Sequence, residues 1–235
     1  MNMTMGSALP DWVTPVAWIY IALALLSAVA IAVDVYLLNR RHDSPATELV
    51  WVASALYLGP FAIPVYLSRG RANTSNTNTS TTGTAGMTGA RESTVTAVLP
   101  GGGASAVAHL IAVPFVVAVG WTIAGLAMWP MILVIAVLAI AMLAIYERAA
   151  SRDRGTTTVR ALSVGAAVFA AVVTVVAFDI GMVGWMLLLH FNDMMPPVSD
   201  GSFWFLMQVG VIVGLATGYP AVKWLLARNQ TAVPA

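Results

Sequence analysis

The chain is 235 residues long, 59% hydrophobic and only 9% charged, with a mean hydropathy of +0.84. A soluble domain carries about a quarter charged residues, so this composition excludes an ordinary water-soluble globule. Eleven basic against ten acidic residues leave a net charge of +1, too little for nucleic-acid binding by bulk charge. The absence of cysteine excludes disulfides, thiolate metal sites, iron–sulfur clusters and cysteine nucleophiles.

A bilayer core about 30 Å thick takes roughly 20 apolar residues in helical form. Residues 12–33 carry no charge, and the apolar run reaches Leu38 with only Asp34 inside it. Its length, and the lack of Lys or Arg before it, predict a retained span rather than a signal peptide. The second span is expected from Leu49 to Leu67, kinked at Gly59-Pro60 and Pro64. Residues 104–146 have no formal charge and would form a single helix of about 65 Å. No bilayer is that thick, so the stretch predicts two spans with a tight turn near Trp129-Pro130. The fifth span is expected over Ala161 to His190 and the sixth over Ser202 to Leu226. The fold expected is an all-α integral membrane protein with six transmembrane helices.

Two segments read as loops. Residues 69–103 are rich in Asn, Thr and Ser and end in Gly101-Gly102-Gly103, a composition that cannot bury enough apolar area to offset chain entropy. This predicts a disordered linker between a two-helix unit (1–68) and a four-helix unit (104–228), followed by a tail (229–235). The second loop, Glu147–Arg160, is short and basic, and Glu48 is expected to be solvated at an outer helix end. With the N-terminus inside, Arg69, Arg71, Arg91, Arg148, Arg152, Arg154, Arg160, Lys223 and Arg228 fall on the inner side. Only Arg40 and Arg41 fall outside. That asymmetry predicts a plasma-membrane protein with both termini cytoplasmic.

Helices in lipid associate through close packing and interhelical hydrogen bonds. Gly210, Gly214 and Gly218 form a stripe on the sixth span suited to close approach by a neighbour, in this chain or in another copy. On the fifth span Ala166, Ala170, Ala177, Gly181 and Gly184 share one face, and Asp179, Met182, Met186 and His190 the other. The small face is expected against a helix such as the sixth, and the other face is expected to look into the bundle.

Intramembrane charges are costly and mark candidate sites. Asp179 is the leading one, either as a proton or cation site or as a packing carboxyl bonded to Gln208 or a hydroxyl. Gln208 reads as interhelical glue, Asp34 as a structural partner of Arg40 or Arg41, and His109 as a hydrogen-bonded core residue. Imidazole and thioether together suit copper. If the fifth helix runs one turn further, Met182, Met186, His190 and Met194 make a line able to pass a soft ion, although methionine at helical spacing also serves as adaptable packing. No metalloprotease, P-loop, nucleophile-elbow or dinucleotide motif occurs, and Gly101–Gly103 lack a lysine or acid to make an anion loop. The residues therefore point away from an enzyme, and no cofactor other than copper is suggested.

The stretch Phe178-Asp179-Ile180-Gly181-Met182-Val183-Gly184-Trp185-Met186 resembles a signature of the membrane family catalogued as domain of unknown function 4396. So does Phe203-Trp204-Phe205-Leu206-Met207-Gln208 with Gly214, Thr217, Gly218, Tyr219-Pro220 and Trp224-Leu225. The resemblance covers roughly residues 104–228. The N-terminal pair, with Ala55-Leu56-Tyr57-Leu58-Gly59-Pro60 and Ser68-Arg69-Gly70-Arg71, is similar to the extra module of longer members. Many members carry a His-Cys-Gly-x-Gly-Cys-type motif at the domain start. Here His109-Leu110-Ile111-Ala112-Val113-Pro114 keeps the histidine and lacks both sulfurs, which removes any thiol role that the motif implies. The resemblance implies a fold and a membrane address but no activity. Two functional readings follow: an accessory or structural component partnering lipid, a second copy or other membrane proteins, or a small permease or ion pathway centred on Asp179.

Overall fold

Apolar sequence in lipid has no water to satisfy its backbone, so it closes its hydrogen bonds within helices. The computed structural model describes residues 9–40, 45–70, 95–153 and 163–228. Among the described residues, six helical stretches are long and apolar enough to cross a membrane: Val13–Leu37, Pro45–Gly70, Val95–Val119, Met128–Ala150, Val164–Phe191 and Gly201–Ala227. We label the helices α1 (Val13–Ala32, closed by a wide turn over Val33–Leu37), α2 (Pro45–Leu58), α3 (Ala62–Val65, continued by a wide turn over Tyr66–Gly70), α4 (Leu99–Val119), α5 (Met128–Asp153), α6 (Val164–Phe191) and α7 (Gly201–Ala227). No strand occurs among the described residues. The expected linker over 71–94, the far part of the basic loop over 154–160, Arg41 and the 229–235 tail lie outside them.

Several boundaries differ from the sequence expectation for physical reasons. The turn between the third and fourth spans falls at Gly120–Ala127, not at Trp129-Pro130. Gly120 (φ +67°) caps α4 through its N–H to Val116 O at 3.0 Å, and Gly125 (φ +78°) supplies a second left-handed residue. Pro130 instead sits in the first turn of α5, where a missing N–H is tolerated. Gly101–Gly103 are not linker but buried helix. A Cβ at Gly102 would meet the Tyr57 ring at 2.7 Å, and one at Gly103 would lie 3.2 Å from the Ala53 Cβ, so these glycines let α4 approach α2. Helix α5 runs through Glu147 to Asp153, and Glu48 and Glu147 are both 2% exposed and engaged with partners rather than solvated. Ser163 and Asp200 cap α6 and α7, their side chains accepting from the N–H groups of Ala166 and Ser202.

The second helical stretch reverses direction instead of kinking. Gly59 has φ +57°, a left-handed conformation that ends α2, and Pro60 starts the return. Behind this break, Tyr66 comes back beside Trp51 with ring centroids 5.7 Å apart, and Gly70 lies flat against the Trp51 indole. The segment is thus a helical hairpin whose two ends, Pro45 and Gly70, lie on the same side of its tip.

Helix directions follow from the pairings. Phe178 packs at Gly214 and Trp185 at Gly210, so α6 and α7 are antiparallel. Helix α1 runs parallel to α7: Thr14 Oγ1 lies 3.2 Å from Ser202 Oγ, and Tyr20 meets Phe205 with centroids 5.4 Å apart. The start of α1 therefore shares a face of the bundle with the start of α7, opposite the end of α7. The hairpin does not cross from face to face, so the start of α1 and the end of α7 lie on opposite faces of the bundle. Arg40, expected on the outer side, lies on the face that carries Arg69, Arg148, Lys223 and Arg228. One core joins residues from α1 and α2, such as Ile31 and Trp51, to those from α4–α7, including Val116, Leu143, Phe178 and Met207.

Candidate functional site

The turn at Gly59 and the missing N–H of Pro60 deprive the last carbonyls of α2 of intrahelical donors, a costly state in hydrocarbon. Two side chains from other helices satisfy them. Gln208 Nε2 on α7 donates to Leu56 O at 2.6 Å, and Tyr20 Oη on α1 donates to Tyr57 O at 2.8 Å. Gln208 is therefore glue, as expected, but its partner is the hairpin tip and not Asp179. Its Oε1 is buried with no hydrogen-bond partner among the described residues.

His109 on α4 is 4% exposed, and its Nδ1 lies 2.8 Å from Ser105 O. A carbonyl only accepts, so Nδ1 carries the hydrogen. In the neutral ring Nε2 is then a bare acceptor, and it too is buried without a partner. Both His109 and Gln208 line a cavity of about 280 Å³ at the hairpin tip, together with Trp18, Tyr57, Trp204 and Met207. Two further lining groups bond to backbone: Tyr57 Oη donates to Leu99 O at 3.3 Å and Trp204 Nε1 to Val198 O at 3.1 Å. The chamber wall is almost wholly apolar, and the two unpartnered acceptors lie buried in residues that line it. Tyr20, Tyr57 and Trp204 were not singled out as site residues from sequence, and the only signal for them was the Gly59-Pro60 break.

The remaining candidates lie elsewhere. Asp34 accepts from Tyr66 Oη at 2.8 Å and sits 3.6 Å from Arg40 Nε, a clasp between the end of α1 and the return limb of the hairpin. Asp179, on α6, is half-buried and makes no hydrogen bond or ion pair among the described residues. The proposed copper line does not form. Helix α6 ends at Phe191, Asn192 Nδ2 caps Leu188 O at 2.7 Å, and Asp193 turns left-handed, which carries Met194 off the helical row. Met182 and Met186 are buried packing residues, with the Met182 sulfur against Gly210, while His190 stacks edge-on to Phe191. Among the described residues no group of three or more His, Asp or Glu gathers in a metal-holding cluster.

The glycine stripe is occupied within the chain. A Cβ at Gly210 would meet Met182 Sδ at 2.8 Å, and one at Gly214 would meet the Phe178 ring at 2.6 Å, whereas at Gly218 the nearest atom is 3.8 Å away. Gly181 seats Thr217, as the small-face expectation implied, but Gly184 meets nothing within 4 Å and is not part of the contact. The face of α6 that enters the stripe therefore mixes Gly181 with Phe178, Met182 and Trp185, whose Nε1 donates to Leu206 O at 2.9 Å.

No curated protein and no solved structure matches the chain. The family described as Domain of unknown function (DUF4396) matches residues 92–230, beginning where α4 is about to start and not after the glycine triplet. With more than half of the chain inside that match, including His109, Gln208 and both glycine-stripe helices, the chain belongs to the DUF4396 family.

Proposed function

We propose that this multi-pass membrane protein is a small permease or carrier whose binding site is the chamber at the hairpin tip, rather than Asp179. The observation that carries the reading is this cavity beside a broken helix, with the unpartnered His109 Nε2 and Gln208 Oε1 buried in two of the residues that line it. Broken helices at membrane depth are tolerated where they line a cavity or are packed in protein, and they recur at transporter binding sites. Left without a ligand or water, each buried acceptor costs about 1–3 kcal/mol, a cost hard to justify by packing alone. The orientation we favour puts the face of Arg40, Arg69, Arg148, Lys223 and Arg228 in the cytoplasm of a plasma-membrane protein. The C-terminal end of α7 is then inside and the start of α1 outside.

The test uses the absence of native cysteine. Val211 lines the chamber and is 3% exposed; Ala139 lies in the core away from it and is 2% exposed. Val211→Cys is expected to react with the small reagent methyl methanethiosulfonate in native membranes, and Ala139→Cys to stay unreacted. Equal protection of both thiols overturns the reading. A second reading, an accessory component, draws on Asp179, whose carboxyl is open to a hydroxyl or cation from a second copy or another membrane protein. It predicts that Asp179→Leu reduces co-purification of such a partner while the thiol at 211 stays protected.

A further inference from the structure

We infer that the half-buried carboxyl of Asp179 docks a transmembrane helix of a different membrane protein, one that carries a lysine or arginine at mid-span. This rests on the accessory reading and is independent of the chamber.

Asp179 lies at the centre of its span. Helix α6 runs from Val164 to Phe191, so the residue is 15 positions from one end and 12 from the other (179 − 164 and 191 − 179), about 22 Å and 18 Å along the axis. Its neighbour Phe178 packs at Gly214, the middle of α7. A bilayer core about 30 Å thick therefore holds this carboxyl far from either headgroup layer. It also borders the lipid-facing surface. Val172 and Val176, seven and three residues before it on the same side of the helix, are 37% and 55% exposed. With Phe169 and Ile180 they form an apolar ridge at spacings of three and four, the form that seats in the groove of a neighbouring helix.

Nothing in this chain answers the carboxyl. Asp179 makes no hydrogen bond or ion pair among the described residues. A second copy cannot bring a cation to it. Rotation about an axis normal to the membrane keeps every depth, and inversion keeps the middle in the middle. Among the described residues Arg40, Arg69, Arg148, Arg152, Lys223 and Arg228 all belong to one end of the bundle. His190 is next to last in α6, and His109 is 4% exposed.

The charge selects the partner's chemistry. Hard metal cations take roughly six or more oxygen ligands. Here a single carboxyl stands outside any group of three or more His, Asp or Glu among the described residues. A hydroxyl would leave the negative charge in hydrocarbon, whereas a basic side chain at the same depth cancels it.

The test is energy transfer in lipid vesicles from the tryptophans of the full chain to dansyl-labelled transmembrane peptides of leucine and alanine. Three peptides differ at one central residue: lysine, serine or leucine. The lysine peptide is expected to give saturable transfer, and the other two only the transfer of random encounter. Asp179→Leu should lose the saturable part, and Asp179→Glu should keep it. Saturation by the lysine and serine peptides alike overturns the cation assignment and leaves Asp179 standing as a docking group. Saturation by all three peptides, by none, or by the lysine peptide on Asp179→Leu overturns the docking site as well. Transfer between chains labelled with donor and acceptor at Ser68→Cys, and lost on Asp179→Leu, makes a second copy the occupant and overturns the assignment to a different protein. The comparison of peptides on the unaltered chain decides the docking site even if a variant fails to fold. None of these outcomes touches the thiol at 211, so the chamber stands or falls separately.

Discussion

Replacing Gly59 by alanine separates a reversing hairpin from a continuous kinked span by the sign of its effect. In a continuous helix, Gly→Ala stabilises by up to about 1 kcal/mol, because alanine is the better helix former. At φ +57° the same change forces an L-residue into the left-handed region, costing about 1–2 kcal/mol. The new Cβ also meets the Tyr20 ring at 3.0 Å and its hydroxyl at 3.2 Å. Tyr20 must move, and its 2.8 Å bond to Tyr57 O, worth about 1 kcal/mol, weakens with it. The sum is a destabilisation of roughly 2–3 kcal/mol. Thermal unfolding of purified protein in one detergent measures it, with Gly184→Ala as the internal standard. Gly184 lies in the interior of α6 and its Cβ would meet nothing within 4 Å, so that variant should hold or raise Tm. A Tm for Gly59→Ala equal to or above wild type would refute the hairpin.

Gly214→Ala should lower Tm by the ~1–3 kcal/mol of overpacking, since its Cβ falls 2.6 Å from the Phe178 ring, whereas Gly218→Ala, with 3.8 Å of room, should be neutral or stabilising; equal shifts by calorimetry would remove the stripe from the packing argument. Single cysteines at Ser68 and Lys223 should label with a membrane-impermeant maleimide from the same side of sealed vesicles, and one at Asp11 from the opposite side. Labelling of Asp11→Cys alongside the other two restores the same-sided topology. Asp34→Asn and Tyr66→Phe, combined in a double-mutant cycle on thermal stability, should show a coupling of about 1.5 kcal/mol from the 2.8 Å bond to a carboxylate. Strict additivity would mean that the clasp does not form.

The apolar runs were readable because lipid fixes helix length, and five of the six stretches lie close to where hydropathy puts them. What hydropathy does not carry is direction. Leu49 to Leu67 has the same composition whether the chain crosses or turns back, and the deciding fact is one dihedral angle at Gly59. Counting basic residues by alternate sides assumes that each apolar run changes sides, which a hairpin at Gly59 does not do. Proline misleads for a related reason. Pro130 breaks a helix interior but suits a first turn, so Gly120 and Gly125 were the true markers. Gly101–Gly103 resemble a flexible linker by composition, and only the Tyr57 ring and Ala53 methyl opposite them make the three glycines a packing surface.

The same limit explains why sequence reasoning went to Asp179 while the cavity gathers His109 and Gln208. A scan for intramembrane polarity ranks side chains by charge, and a carboxylate outranks an amide or an imidazole. Yet the polarity around the chamber comes partly from backbone, the carbonyls of Leu56 and Tyr57 released where α2 stops. Once those carbonyls draw the Gln208 amide nitrogen and the Tyr20 hydroxyl to themselves, the Gln208 oxygen is left buried without a partner among the described residues. A glutamine on α7 and a histidine on α4, far apart in sequence, thus line one cavity at the tip where Gly59 ends its helix. In a straight helix Phe61 would donate to Tyr57 O, but Leu56 O would face Pro60, which has no N–H, so the Gln208 bond answers the proline as well as the turn. The geometry at Gln208 thus depends in part on the same reversal that the Gly59 experiment measures.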